Sequence, residues 1–407
     1  MKKTFAVVLF LMLSFSLFAG PIDSQWRGDN RDGIYTGEKL LKSWPPEGPK
    51  MIWKADGLGV GFSSAAVTKD LVLITGMIDG SGILLAFNHQ GKQLWKANYG
   101  HEWDDARNFP GARTTPTVVG DRIYLTTGYG VAHCYDLNGK QIWSMDFANK
   151  YKAIRPRWSM TESLLVDGDH VYCSVGGPEV AVVVLNRHTG QVIRTVKGNG
   201  EATAYCSPLL VTYHGKQIVA TMTSKSVIGF GADSDKLMWS KPHVTDWDVN
   251  ANTPIYKDGY LFTFSGYGTG GQMFKLSADG TQIEKIWAQD KLDSQMGAAI
   301  LINGYLYGSG QNNRAWHCVD WKTGELKYST KALGNKGNII FSDGLAYVYS
   351  EKGDVGLVKV SPQAFDVISS FKVKLGSGQH WAHLVIKDGR LYVRHGDVLM
   401  VYDIAAK

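Results

Sequence analysis

The segment CYDLNGKQIW, Cys134 to Trp143, reads as an apolar strand, a polar turn around Gly139 and a second strand closing on a tryptophan. Its glycine stands where a tight turn calls for positive φ, and its flanks alternate as half-buried strands do. The phrase recurs. AFNHQGKQLW ends at Trp95, VLNRHTGQVI at Ile193 and VDWKTGELKY at Tyr328, with looser copies ending at Trp239, Trp287 and Phe371. With Trp53 as the first anchor, successive intervals are 42, 48, 50, 46, 48, 41 and 43 residues. Each interval holds an earlier hairpin as well, such as TPTVVGDRIYLTT from Thr115 or TPIYKDGYLFTF from Thr253. Two hairpins make a four-stranded antiparallel unit, and repeats of this length with four strands are propeller blades.

Seven intervals supply seven blades, and the stretch from His383 to Ile404 supplies three strands of another. The strand it lacks is available in Pro49–Lys54, so joining the two ends would close the ring without a free edge. The expected fold is therefore all-β: an eight-bladed β-propeller of four-stranded antiparallel blades, the last closed by an N-terminal strand, with seven blades as the alternative. A string of β-sandwich domains would not repeat one turn phrase at this spacing without linkers.

Composition agrees with a single globular repeat array. Of 407 residues, 44% are hydrophobic and 20% charged, and 47 are Gly against 12 Pro, which excludes disorder, collagen and coiled coil for the whole chain. The formal charge of +6 is scattered, so no nucleic-acid footprint is expected. Lys2 and Lys3, the apolar run Phe5–Phe18 and the small Ala19 and Gly20 read as an export signal over residues 1–20, too short to span a bilayer. Residues 21–407 are then one propeller domain, periplasmic or secreted, with no transmembrane segment. The first cysteine is Cys134, so no lipid anchor is expected at that end. Cys134, Cys173, Cys206 and Cys318 are widely spaced in apolar runs, which favours buried free thiols, with one structural disulfide as the alternative.

The phrase A-x-D-x-x-x-G-x-x-x-W, cleanest at Cys134–Trp143, resembles the tryptophan-docking repeat of quinoprotein alcohol dehydrogenase-like, or PQQ-like, propellers. QWRGDNRDGIY at Gln25–Tyr35, with Leu41–Pro45 and Trp53, resembles the start of small exported members labelled polyvinyl-alcohol dehydrogenase-like. The resemblance implies that Trp95, Trp143, Trp239 and Trp287 pack between blades. It also implies pyrroloquinoline quinone with calcium as a cofactor, but no segment here matches the family's calcium-holding Glu, Asn and Asp residues, and no two cysteines adjoin.

A propeller offers a site where loops enter the innermost strands. The equivalent entrance positions are Ser64, Thr115, Ser163, Ser207, Thr253, Ala298, Asn338 and His383. Two adjacent loops before them are enlarged, Lys96–Thr114 and Ser144–Glu162, and long decorated loops on a rigid ring are where function tends to sit. Trp103, Arg113, Arg157 and Trp158 lie there, with Asp104 and Asp105; Trp247, Asp248, Asn250, Asn313, Arg314, His380 and Trp381 follow on the same expected face. Guanidinium and indole together suit a planar anionic ligand. Asp104, Asp105 and Asp248 are weak candidates for a catalytic base, and no metal site is expected, since His380 and His383 lack a third ligand.

Two readings result. One is an exported binding or scaffold module for a protein, glycan or small-molecule ligand. The other is a small PQQ-dependent alcohol or sugar dehydrogenase.

Overall fold

In a computed structural model that describes residues 22–37 and 39–406, the turn phrase folds as its chemistry requires. Gly91, Gly139, Gly190 and Gly324 all have φ between +70° and +82°. Each repeat becomes a four-stranded antiparallel sheet, and there are eight. Blades one to seven run Ala66–His101, Thr117–Asp146, Leu165–Lys197, Leu209–Pro242, Ile255–Gln289, Ala299–Thr330 and Gly337–Lys372. Blade eight takes three strands from Val385–Asp403 and its outer strand, Met51–Ala55, from the other end of the chain. That strand pairs Trp53 with Val401 and Ala55 with Leu399. Helix among the described residues is confined to one turn at Phe147–Lys150 and a 3-10 turn at Asp246–Asp248. The expected export signal lies outside the described residues.

The core is distributed between the blades. Eight apolar clusters each span two neighbouring sheets. The seam between last and first blade is as well buried as the others: Tyr392, Leu399 and Val401 meet Val72, Ile74 and Leu85. At about 1.5–3 kcal/mol for each fully buried aliphatic side chain, this packing closes the ring.

The outer-strand tryptophans join neighbours. The Trp95 indole N–H donates to Leu137 O at 2.9 Å, Trp143 to Arg187 O at 2.9 Å and Trp53 to His89 O at 3.0 Å. Each ring lies on the turn glycine of the next blade; a Cβ on Gly139 would sit 2.6 Å from Trp95. That glycine is needed for both its φ and its lack of a side chain. Trp239 departs from the pattern, with its ring over Gly229 of its own blade and no partner for its N–H. The four cysteines are all free and buried.

Candidate ligand site at the channel mouth

The entrance positions form a hydrogen-bonded belt from blade to blade. Ser64 N–H donates to Thr115 Oγ1, Thr115 N–H to Ser163 Oγ and Ser163 N–H to Ser207 Oγ, at 2.9–3.0 Å. Thr253 Oγ1 returns a bond to Ser207 O at 2.8 Å. Farther round, side-chain amides take over, with Ala298 N–H donating to Asn252 Oδ1 and Asn338 Nδ2 to Ala382 O. The hydroxyls of Thr115, Ser163, Ser207 and Thr253 are engaged by backbone and set the geometry of the mouth, whereas the Ser64 Oγ is buried without a partner.

Residues 22–35 thread the channel behind this belt. Ile22–Ser24 adds a fifth strand to blade two by pairing with Val118–Val119. Arg31 then crosses to Ser163 O at 2.8 Å and Leu164 O at 2.6 Å, while Arg27 reaches Ala299 O at 2.9 Å and Ile339 O at 3.1 Å. Both arginines take left-handed φ, 62° and 58°, and a Cβ at Gly33 would lie 2.1 Å from the Arg27 guanidinium. Burial pushes both guanidinium groups down to about 10, so they remain charged at neutral pH. Arg27 Nη1 donates to His383 Nδ1 at 3.0 Å, which leaves the His383 proton on Nε2, facing Met296 O at 2.9 Å. Burial and the Arg27 charge hold His383 neutral, with its pKa pushed down to about 3.

Above this plug opens a cavity of about 360 Å³, within the range of small-molecule sites. Its wall follows a rule of two. In the loop that leads into each innermost strand, the residue two before an entrance position lines the cavity in seven of eight blades: Phe62, Arg113, Thr161, Tyr205, Ala251, Met296 and Trp381. In blade seven that residue is Lys336, which instead pairs with Glu351 at 2.8 Å. Trp26 from the plug joins the wall and packs against His383. Two aromatic groups dominate. Trp381 meets Phe62 and Phe109 with ring centroids 5.0 Å apart in each case, and Trp158 meets Tyr205 at 6.3 Å.

Arg113 supplies the wall's cation. Its guanidinium lies 5.2 Å from the Phe62 ring centroid and donates through Nη2 to Asn108 O and Phe109 O; its Nε is buried without an acceptor. Burial lowers its pKa to about 10, leaving it protonated.

Of the candidate residues, Arg113, Trp158 and Trp381 come together in the cavity wall. Arg157 and the exposed Trp247 stand beside it: the Arg157 guanidinium lies 5.2 Å from both the Trp158 and Trp247 ring centroids. The others lie elsewhere. Trp103 is buried in its loop, donating to Asn108 O at 3.0 Å. Asn250 is fully buried and donates to Thr223, Ser224 and His243 carbonyls. Asn313 bridges Lys291 O and His317, and Arg314 is exposed away from the cavity. His380 binds the Tyr349 hydroxyl at 2.6 Å and stacks on His395, and burial pushes its pKa down to about 4. Asp104 accepts from the Tyr129 hydroxyl at 2.7 Å and from His101, and Asp105 accepts from Asn108 and Arg107 within its own turn. Hydrogen bonds from Tyr129 and Asn108, respectively, hold the two carboxyls below the usual range, which weakens either as a base. Asp248 is exposed in the 3-10 turn.

Among the described residues, no carboxylate lines the cavity. Calcium takes six to eight oxygen ligands and draws on carboxylates, whereas this wall offers hydroxyls, one amide and carbonyls. It does not fit a calcium-held quinone. Among the described residues no group of three or more His, Cys, Asp or Glu side chains is placed to hold a metal.

A family model described as outer membrane protein assembly factor BamB, of the PQQ-like repeat type, matches residues 80–330, more than half of the chain. The chain belongs to this family. No curated protein matches it. Among solved structures this PQQ-like propeller is similar to BamB from Moraxella catarrhalis, with 16% identity, 87% of this chain and 99% of that chain covered, and a TM-score of 0.64. It is similar to a europium-containing methanol dehydrogenase at 13% identity, with 92% and 90% covered and a TM-score of 0.66. A quinohemoprotein alcohol dehydrogenase from Comamonas testosteroni gives 10% identity, 95% and 81% covered, and a TM-score of 0.69. At these identities the likeness concerns the fold alone. In the described residues of this PQQ-like propeller, no helix is long and apolar enough to cross a membrane.

Proposed function

We propose that the protein is an exported binding module whose site is the cavity at the mouth of its channel. The observation that carries this reading is the wall itself: seven blades and the N-terminal plug converge on one aromatic cavity, lined among the described residues by a single cation and no carboxylate. Such a wall binds by stacking and burial, and its one imidazole, His383, is engaged at both ring nitrogens. Export rests on the basic and apolar residues 2–18, and the outer-membrane assembly role in the family's description is compatible with it. The exposed Phe109 and Trp247 beside the mouth suit a protein partner as well, since aromatic residues next to arginine dominate binding hot spots.

Crystals soaked with a panel of small aromatic and sugar fragments test the reading. Fragments should fill the cavity; a panel that binds only elsewhere overturns it. Mixing the protein with pyrroloquinoline quinone and calcium should give neither stoichiometric cofactor absorbance nor dye reduction, and obtaining both would favour the dehydrogenase.

A further inference from the structure

The chemistry of Arg113 narrows the ligand class, on the premise that the cavity is a binding site. Arg113 is half-buried, and a partly desolvated cation without a counter-ion gains from an anionic partner. Arg113 makes no ion pair with any described residue; only Nη2 has acceptors, both of them backbone carbonyls, and its Nε is buried with none. Glu102 is the acid whose charge acts on it, but that carboxylate is already committed to Trp103 N–H at 2.7 Å, Gly128 N–H at 2.6 Å and the Tyr99 hydroxyl at 3.0 Å. Meanwhile Arg113 lies against the Phe62 ring, in the aromatic group that Trp381 and Phe109 complete. His383 adds no second charge, because its Nδ1 accepts from Arg27 and its Nε2 faces a carbonyl.

We infer that the cavity takes a small aromatic monocarboxylate, its ring against the indole and phenyl faces and its carboxylate on the Arg113 guanidinium, with no metal involved. One cation matches one carboxylate. A guanidinium presents a planar fork that binds a carboxylate with strong, charge-assisted hydrogen bonds. A neutral sugar would leave that cation unpaired, and an aromatic cation would meet it with repulsion.

Calorimetry with indole-3-acetate and its neutral isostere indole-3-acetamide tests this on the purified protein. The acid should bind at least tenfold tighter than the amide. Arg113→Gln should erase that preference while keeping the amide's affinity within about threefold, a margin well under the tenfold that corresponds to 1.4 kcal/mol. Trp158→Ala should weaken both ligands with their ratio preserved, which keeps the test open if the Arg113 variant does not fold. Equal binding of acid and amide overturns the monocarboxylate and leaves the cavity as a site. Binding of neither at millimolar concentration overturns both.

Discussion

Replacing Glu162 with glutamine should remove a pH dependence of stability that the buried carboxyl imposes. Glu162 closes the second enlarged loop and is 3% exposed. Its Oε1 accepts from Ser174 N–H at 2.7 Å, and its Oε2 is buried with no partner. Burial raises its pKa from 4.5 to about 7, against the opposing pull of the Ser174 bonds and Arg31. The folded state therefore holds this proton more tightly than the unfolded chain. The stabilisation is complete below pH 4.5, declines as pH rises, and is gone above about 7. A shift from 4.5 to about 7 corresponds to roughly 3 kcal/mol, or roughly 4 °C in midpoint for a chain of this size. Glutamine keeps the acceptor for Ser174 and has no charge to lose. Scanning calorimetry of both proteins at pH 5 and pH 8.5 isolates the effect, because every other titration is common to the pair. The variant should gain a few degrees on the wild type between the two values. Parallel melting curves would show that Glu162 is already ionised in the fold, and the reasoning from its burial and orphaned oxygen would fail.

Gly139→Ala should lower the midpoint by several degrees, since it combines positive φ with a clash against Trp95, whereas Gly120→Ala, with open space around it, should cost only the φ penalty of about 1 kcal/mol. Ser163→Ala removes the acceptor for the Thr115 N–H and should cost about 1–3 kcal/mol in denaturant unfolding; an unchanged midpoint would mean that water replaces the belt. The four thiols should resist a thiol-exchange reagent until the chain unfolds, because burial raises Cys134 to about 12 and Cys206 and Cys318 to about 11. Deleting residues up to Lys54 removes both the channel plug and the outer strand of blade eight, and should cost solubility; a truncated chain that melts like the full one would contradict the closure.

The ring was readable because it rests on local chemistry repeated many times. Turn glycines, alternating strands and the terminal tryptophan recur at nearly fixed spacing, and the missing strand of the last blade could be counted and found at Met51–Ala55. The site was readable only in part. Arg113, Trp158 and Trp381 stood out by residue type, whereas Asn250 and His380 look alike in sequence whether they bind a ligand or satisfy a buried backbone. Phe62, Tyr205 and Met296 carry no chemical flag, but a usable signal existed: each stands two residues before an entrance position, on the side of the chain that faces the axis. The plug was hidden for a different reason. Arg27 and Arg31 bind carbonyls from blades three, six and seven, contacts that depend on closure of the ring and have no counterpart in local pattern.

The convergence of distant residues on one binding cavity can be observed directly by fluorine NMR of protein labelled with 5-fluorotryptophan, its resonances assigned by single Trp→Phe variants. Adding indole-3-acetate or its amide should shift Trp26, Trp158 and Trp381 together, while Trp95, Trp143 and Trp287, docked between blades, stay in place. Shifts confined to the docked tryptophans, or an unperturbed spectrum at saturating ligand, would contradict the account.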